Sequence, residues 1–219
     1  MKVISCWDDG PVSDLRLVDI LRRHRARATF CLNPGLYREE RSFGWDHEGR
    51  EVWRLSIHEL PAVYEEFEVC NHSMTHPYLT GLPDDRLDWE INAGRDFLEK
   101  LFHKPIRGFC YPFNAYDDAV LRVLRSAGCL WARAGEDGEH VFPPVDPLQF
   151  HPHCHFLDPE FRLKYDSARE AEEVFFFWGH SYELASEDMW KNFERMVERI
   201  SSDEAVEWSY IDDLFDEKK

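Results

Sequence analysis

An α/β fold built on a parallel sheet is the architecture this sequence predicts, and three observations carry it. Short apolar runs of strand length alternate with segments of helical apolar period. Polar residues able to do chemistry fall just past the C-terminal ends of those runs, where β/α folds gather them. Neither an internal repeat nor a linker-like stretch divides the chain, so 1–219 reads as a single domain. Alternation of this kind suits either an open doubly wound layer or a barrel.

The elements follow in order. Residues 2–7 form the first strand, and Gly10-Pro11 turns the chain sharply after it. A helix over 13–25 is capped by Ser13 or Asp14 and carries Leu15, Leu17, Val18, Ile20 and Leu21. The second strand spans 28–32. Residues 33–55, rich in Arg, Glu, Gly and aromatics, read as an insertion or long loop. A short helix at 56–64 leads to the third strand at 67–70. The longest helical pattern, 83–102, puts Leu87, Ile91, Phe97, Leu98 and Leu101 on one face. Strand 107–111, a helix at 117–127 ended by Gly128, and strand 129–133 come next. Further strands are expected at 148–151, 173–178 and 206–210, separated by helices at 159–171 and 186–201.

Composition narrows the function. Hydrophobic residues at 43% and aromatics at 15% exclude a disordered chain. A formal net charge of -17 repels phosphate backbones, which argues against nucleic acid and favours a neutral or cationic substrate. The first strand begins at residue 2 and no apolar run reaches spanning length, so the expectation is a cytoplasmic protein without a membrane partner. Cys6, Cys31, Cys70, Cys110, Cys129 and Cys154 form no CxxC pair and read as reduced, buried thiols. A homo-oligomer is compatible with the sequence.

The most informative residues are Asp8-Asp9, at the mouth of the first strand, and His72-Ser73-Met74-Thr75-His76 after the third. Two histidines, one carboxylate and a spare carboxylate are the inventory of a metal-dependent hydrolase: three ligands, an open position and a base. The same two-histidine, one-carboxylate set also suits iron(II) oxygenase chemistry. His180 follows an apolar run and falls at another strand end. His151, His153 and His155 alternate, so on a strand they share a face; they read as a second metal site or as cleft and surface residues.

In their order and spacing these motifs resemble the NodB-homology polysaccharide deacetylases, carbohydrate esterase family 4. Trp7-Asp8-Asp9-Gly10-Pro11 is similar to the first motif of that family, and Ala28-Thr29-Phe30 to the start of its next strand. His72-Ser73-Met74-Thr75-His76-Pro77 is similar to the second motif, Cys110-Tyr111-Pro112-Phe113-Asn114 to the third, and Gly179-His180-Ser181 to the last. The resemblance implies a distorted (β/α)7 barrel. It implies that Asp9, His72 and His76 bind a divalent metal, usually zinc, although cobalt, nickel, manganese or iron(II) also suit. Asp8 is then the general base, His180 the general acid, and the backbone N–H of Phe113 the oxyanion donor. Tyr111, Pro112 and Trp178 are expected at the substrate, with Trp178 a wall around His180. Trp45, Trp53, Tyr78 and Tyr116 are further aromatics able to stack on sugar rings.

Three departures stand out. Cys110 sits where the family commonly has the Arg that orients the catalytic Asp, and Arg133 on the neighbouring strand is the expected substitute. Asn114 replaces a usual Gly, and still tolerates a left-handed turn. Many relatives are secreted, whereas this sequence shows no leader, which favours a small-molecule or oligosaccharide substrate over a wall polymer. The implied reaction is removal of an acyl group, acetyl above all, from an amino sugar or similar intracellular amide. Hydrolysis of another C–N bond or an O-acyl ester, or a non-catalytic sugar-binding role, are the alternatives. Segments 33–55 and 134–158 are expected to shape the pocket.

Overall fold

Strands covered on both faces have no reason to alternate polar with apolar residues, and those of this protein do not. β1 (Lys2–Asp8) is buried from Val3 onward and turns through Gly10-Pro11 towards α1 (Asp14–Arg23). β2 (Thr29–Leu32) is buried throughout. An antiparallel hairpin follows, β3 (Ser42–His47) with β4 (Arg50–Arg54), then α2 (Leu60–Val63) and β5 (Glu68–Asn71). Helices α3 (Asp84–Asp88) and α4 (Gly94–Phe102) are joined by a π-helical turn at Trp89–Ala93. Beyond them lie β6 (Gly108–Cys110), α5 (Asp118–Ser126), β7 (Trp131–Arg133), β8 (Cys154–His155), α6 (Phe161–Glu170), β9 (Phe175–Gly179), α7 (Glu187–Ser201), β10 (Glu207–Trp208) and α8 (Asp212–Phe215).

The architecture comes from a computed structural model that describes residues 1–135, 140–171 and 173–215. Residues 136–139 of the expected pocket segment 134–158 therefore lie outside the described residues. The main sheet runs β7-β6-β5-β2-β1-β9-β8, all neighbours parallel, with β10 added beside the start of β1. It curls into a distorted β/α half-barrel. One segment spans the gap between its outer strands: Phe150 bridges to Arg133, and Cys154 pairs with Phe177.

Strand parity sorts the core. Ile4, Cys6, Cys31, Cys70, Cys110, Trp131, Phe150 and Phe176 pack inside the barrel. Val3, Trp7, Phe30, Leu32, Val69, Phe175 and Phe177 face outward to the helical layer, with Leu17, Leu21, Phe193 and Val197.

Several expectations need correction. Ser13 has helical backbone and makes no side-chain cap; its Oγ bonds Ser181 Oγ at 2.8 Å. Asp14 lies inside the first turn and accepts from Tyr64 Oη at 2.6 Å and from Ser181 Oγ, so tertiary partners displace the local cap. The 33–55 segment folds as the β3–β4 hairpin, turned by Glu48 and Gly49 in the left-handed region (φ 52° and 75°). The strand expected at 148–151 reduces to the Phe150 bridge, and regular pairing begins at Cys154.

Candidate functional site

The end of β1 is bent by two consecutive residues of positive φ, Asp9 at 75° and Gly10 at 57°. Main-chain bonds hold Asp9 there: its N–H donates to Cys31 O at 3.0 Å, and its carbonyl accepts from Tyr37 Oη at 3.0 Å and Arg54 Nη1 at 3.3 Å. A β-carbon on Gly10 would stand 2.1 Å from Tyr37 Oη, so only glycine allows this approach. The turn lets Asp8 stay in the barrel while Asp9 reaches its rim.

The second motif leaves β5 through Ser73 and His76, both also at positive φ (64° and 56°). Non-glycine residues in this region are strained and persist where the surroundings hold them. Here Ser73 Oγ accepts the His76 N–H at 2.9 Å, and His72 N–H donates to Leu32 O at 3.0 Å. The π-helical turn presents two further acceptors, Glu90 O for the Met74 N–H (2.9 Å) and Ile91 O for Asn71 Nδ2 (2.8 Å). Glu90 itself, fully buried, accepts the Thr75 N–H at 2.8 Å and Thr75 Oγ1 at 2.6 Å, with Arg86 Nη2 at 2.6 Å. π-turns inside helices often mark functional sites, and this one anchors the histidine loop.

Asp9 Oδ1 lies 3.9 Å from His72 Nε2 and 3.8 Å from His76 Nε2. Those separations are too long for hydrogen bonds. They fall within the span of about 4.2 Å that two donors at ~2.1 Å from one ion can reach. Because a carbonyl only accepts, His72 Nδ1, 2.9 Å from Cys110 O, carries the proton and leaves Nε2 as the ligand nitrogen. Burial, then the neighbouring His76, pull the His72 pKa down to about 4, so the ring is neutral and ready to ligate. The donor set therefore fits a divalent metal.

Asp8, 2% exposed, forms a buried ion pair from Oδ1 to Arg133 Nη2, and Cys110 Sγ stands 3.7 Å from its Oδ2. Arg133 is fully buried, with its guanidinium carbon 5.1 Å from the Trp178 ring centroid. Burial pushes Asp8 up, but Arg133 and then His72 and His180 outweigh it and bring the carboxyl to about 2. His180 Nε2 faces Asp9 Oδ2 at 3.9 Å, and its ring packs against Trp178 (5.3 Å) and Tyr182 (4.9 Å). Burial acts to lower the His180 pKa, but Glu183, Asp9 and Asp8 raise it overall.

Phe113 also has positive φ (56°) and stands beside the site, its ring 4.6 Å from His76 and stacked on Tyr78 at 4.1 Å. Neighbouring N–H groups bond locally, Asn114 to Tyr111 O and Ala115 to Pro112 O, whereas the Phe113 N–H has no acceptor among the described residues. Pro112 is buried and starts this turn.

Tyr111 departs from expectation. Its ring points outward, packs on Phe109 and Tyr116, and donates its hydroxyl to Leu148 O at 2.7 Å, away from the cleft. Tyr116 stays with it. Trp45 packs on Tyr182 and under Arg54, while Trp53 sits edge-on to exposed Phe43. The three alternating histidines separate: His151 Nδ1 bonds Gly135 O, His153 stacks on His140, and only His155 reaches the His180 side of the cleft. Glu90 and Glu183 escaped sequence reasoning. Glu90 had a signal, a lone acid on the apolar face between Leu87 and Ile91.

Residues 1–131 match the protein-family model described as polysaccharide deacetylase. The chain is 28% identical over 156 residues to peptidoglycan-N-acetylglucosamine deacetylase of Bacillus cereus, covering 68% of this chain and 66% of that protein. It is 27% identical over 149 residues to chitooligosaccharide deacetylase of Sinorhizobium fredii, covering 62% of each. It thus spans just under two thirds of the length of these relatives. The fold is like that of the family 4 acetyl xylan esterase from Clostridium thermocellum, solved with a cobalt ion (TM-score 0.64, 14% identity, 98% of this chain and 90% of that one). The family match takes in both the Asp8-Asp9 pair and the His72–His76 loop, so this chain belongs to the polysaccharide deacetylase family.

Proposed function

We propose that this protein is a metal-dependent deacetylase that hydrolyses the N-acetyl group of an amino sugar, in an oligosaccharide or comparable small amide. One observation carries the reading: the carboxylates of Asp8 and Asp9 and the imidazoles of His72, His76 and His180, from three separate stretches of the sequence, converge at one mouth of the barrel. Asp9, His72 and His76 would hold a divalent ion, zinc by preference, which would supply Lewis acidity and bring the pKa of water down toward ~7.

The chain's own groups do the rest. Asp8, kept ionised and oriented by Arg133, takes the proton of the attacking water. The free N–H of Phe113 donates to the acyl oxygen as negative charge develops there. His180, cationic at the start, gives its Nε2 proton to the leaving nitrogen, help typically worth ~10²–10⁴-fold for so poor a leaving group. Phe113 and Tyr78, 50% and 60% exposed and stacked at the rim, form an apolar platform suited to a pyranose face.

The relatives' substrates, peptidoglycan N-acetylglucosamine and chitooligosaccharide, support an N-acetylglucosamine-containing ligand. No helix among the described residues is long and apolar enough to cross a membrane. The thiols Cys6, Cys31, Cys70 and Cys110, packed together in the barrel interior without a disulfide among them, favour a reducing compartment and hence an intracellular substrate. The test is acetate release from N-acetylated sugars, oligosaccharides and O-acetyl esters by zinc-loaded protein, with Asp8→Asn as the blank. Release that vanishes in the variant supports the reading and ranks amide against ester. No release across the panel from protein that binds zinc sinks it.

A further inference from the structure

His180 is followed at once by a tight 3-10 turn, Ser181–Glu183, which folds a carboxylate back onto it. One oxygen of Glu183, Oε2, meets three nitrogens: the His180 backbone N–H at 3.0 Å, His155 Nε2 at 2.9 Å and His180 Nδ1 at 3.3 Å. His155 comes from β8, whose register sets it directly beside Trp178 of β9. Its tautomer is legible. Nδ1 accepts the Leu157 N–H at 3.3 Å, so Nε2 bears the proton and donates to Glu183. Gly179 permits the close approach, since a β-carbon there would stand 2.1 Å from Phe156 and 3.1 Å from His155 Nε2.

We propose that Glu183 is the positioning residue of the acid His180, and that His155 fixes Glu183 from behind. The inference rests on the deacetylase reading. The Nδ1 contact is longer than an aligned hydrogen bond, and Nδ1 has no hydrogen-bond partner in its present orientation. Contacts of this kind tighten when substrate binds. Once Nδ1–H is engaged by Glu183, Nε2 is the nitrogen presented to the cleft, on the side of Asp9. Trp178 and Tyr182 against the ring set its plane. Burial favours a protonated Glu183, but His155 and His180 hold it ionised, well below the usual carboxylate range.

The test compares an N-acetyl substrate with an aryl acetate, whose phenolate leaves without a proton. Glu183→Gln is expected to lower the ratio of amide to aryl-ester kcat by about 10²-fold, with KM little changed. His155→Ala follows it in part, and His155→Gln, which keeps an N–H, restores the ratio. Equal loss on both substrates would indicate a merely structural role and overturn the proposal. A second readout does not depend on turnover: in ¹⁵N-histidine spectra, a His180 Nδ1 proton is expected in the parent and is lost in Glu183→Gln. If that proton is absent from the parent, or indifferent to Glu183, the inference fails even where acetate release stands. A second zinc ion per chain that His155→Ala removes also overturns it, because the trio's ligand atoms lie within 4.8 Å of one another. Lack of acetate release from the parent, by contrast, defeats the deacetylase reading itself.

Discussion

Replacing Arg133 by methionine strips the guanidinium from Asp8 and leaves a carboxylate alone in the barrel interior. The size of the effect follows from the two opposed influences on that carboxyl. Burial raises its pKa, yet with Arg133 in place it stands at about 2 rather than 3.8. The net depression amounts to roughly 2 kcal/mol of stability at neutral pH. Since the folded pKa is lowered, this contribution is complete above the unfolded value of about 4 and is lost as the pH falls through about 2. Without Arg133 the attraction disappears and the burial penalty remains, so Arg133→Met should lose about 3–5 kcal/mol, the usual consequence of breaking a buried pair from one side. Urea unfolding at pH 7 measures it. The double variant Asp8→Asn/Arg133→Met should be more stable than Arg133→Met alone, because no buried charge is then unpaired. Arg133→Lys keeps a cation but not the fork, and a misplaced base should lower kcat by about 10²-fold in a chain that still folds. Stability within about 0.5 kcal/mol of the parent in Arg133→Met, together with full turnover in both variants, would refute the reasoning.

Three further outcomes are expected. Chelation of divalent ions should lower Tm and zinc should restore it, the ion contributing about 4 kcal/mol of stability at a thousandfold excess over Kd; a Tm indifferent to both would count against the Asp9-His72-His76 ligand set. Glu90→Gln should weaken zinc binding by about 10–100-fold through the freed Thr75 loop, read by competition with a chromogenic chelator; an unchanged Kd would confine Glu90 to packing. Burial pushes Asp14 up to about 7, so the folded protein keeps a proton that the unfolded chain loses near pH 4, and stability should fall between those values as the pH rises. In Asp14→Asn the slope of Tm against pH should flatten over that window, and an unaltered slope would contradict the assignment.

Much of the fold was legible because buried parallel strands write themselves as apolar runs, and much of the site because its residues cluster at their ends. What stayed hidden depends on tertiary partners. Ser13 has the residue type of a cap, but Ser181, far along the chain, takes its hydroxyl. The π-turn at Trp89–Ala93 leaves no mark on an apolar pattern that continues through it. Glu183 acquires its role only when β8 brings His155 against it. The orientation of Tyr111 follows from period two: an inward Cys110 requires an outward Tyr111.

The same parity sets Arg133 and Cys110 side by side against Asp8. Cys110 of β6 and Arg133 of β7 are direct partners in the parallel register, at one height and on one face of the sheet. Each reaches a different oxygen of Asp8, Arg133 at Oδ1 and the Cys110 thiol near Oδ2. The barrel interior at that level holds one large cation, and the small thiols Cys6, Cys31, Cys70 and Cys110 leave the room it fills. Their burial drives the thiol pKa values up, to about 12 for Cys31 and about 11 for Cys110, so they stay neutral beside the ion pair and add no competing anion. Cys110 is thus part of the arrangement that seats Arg133 against Asp8.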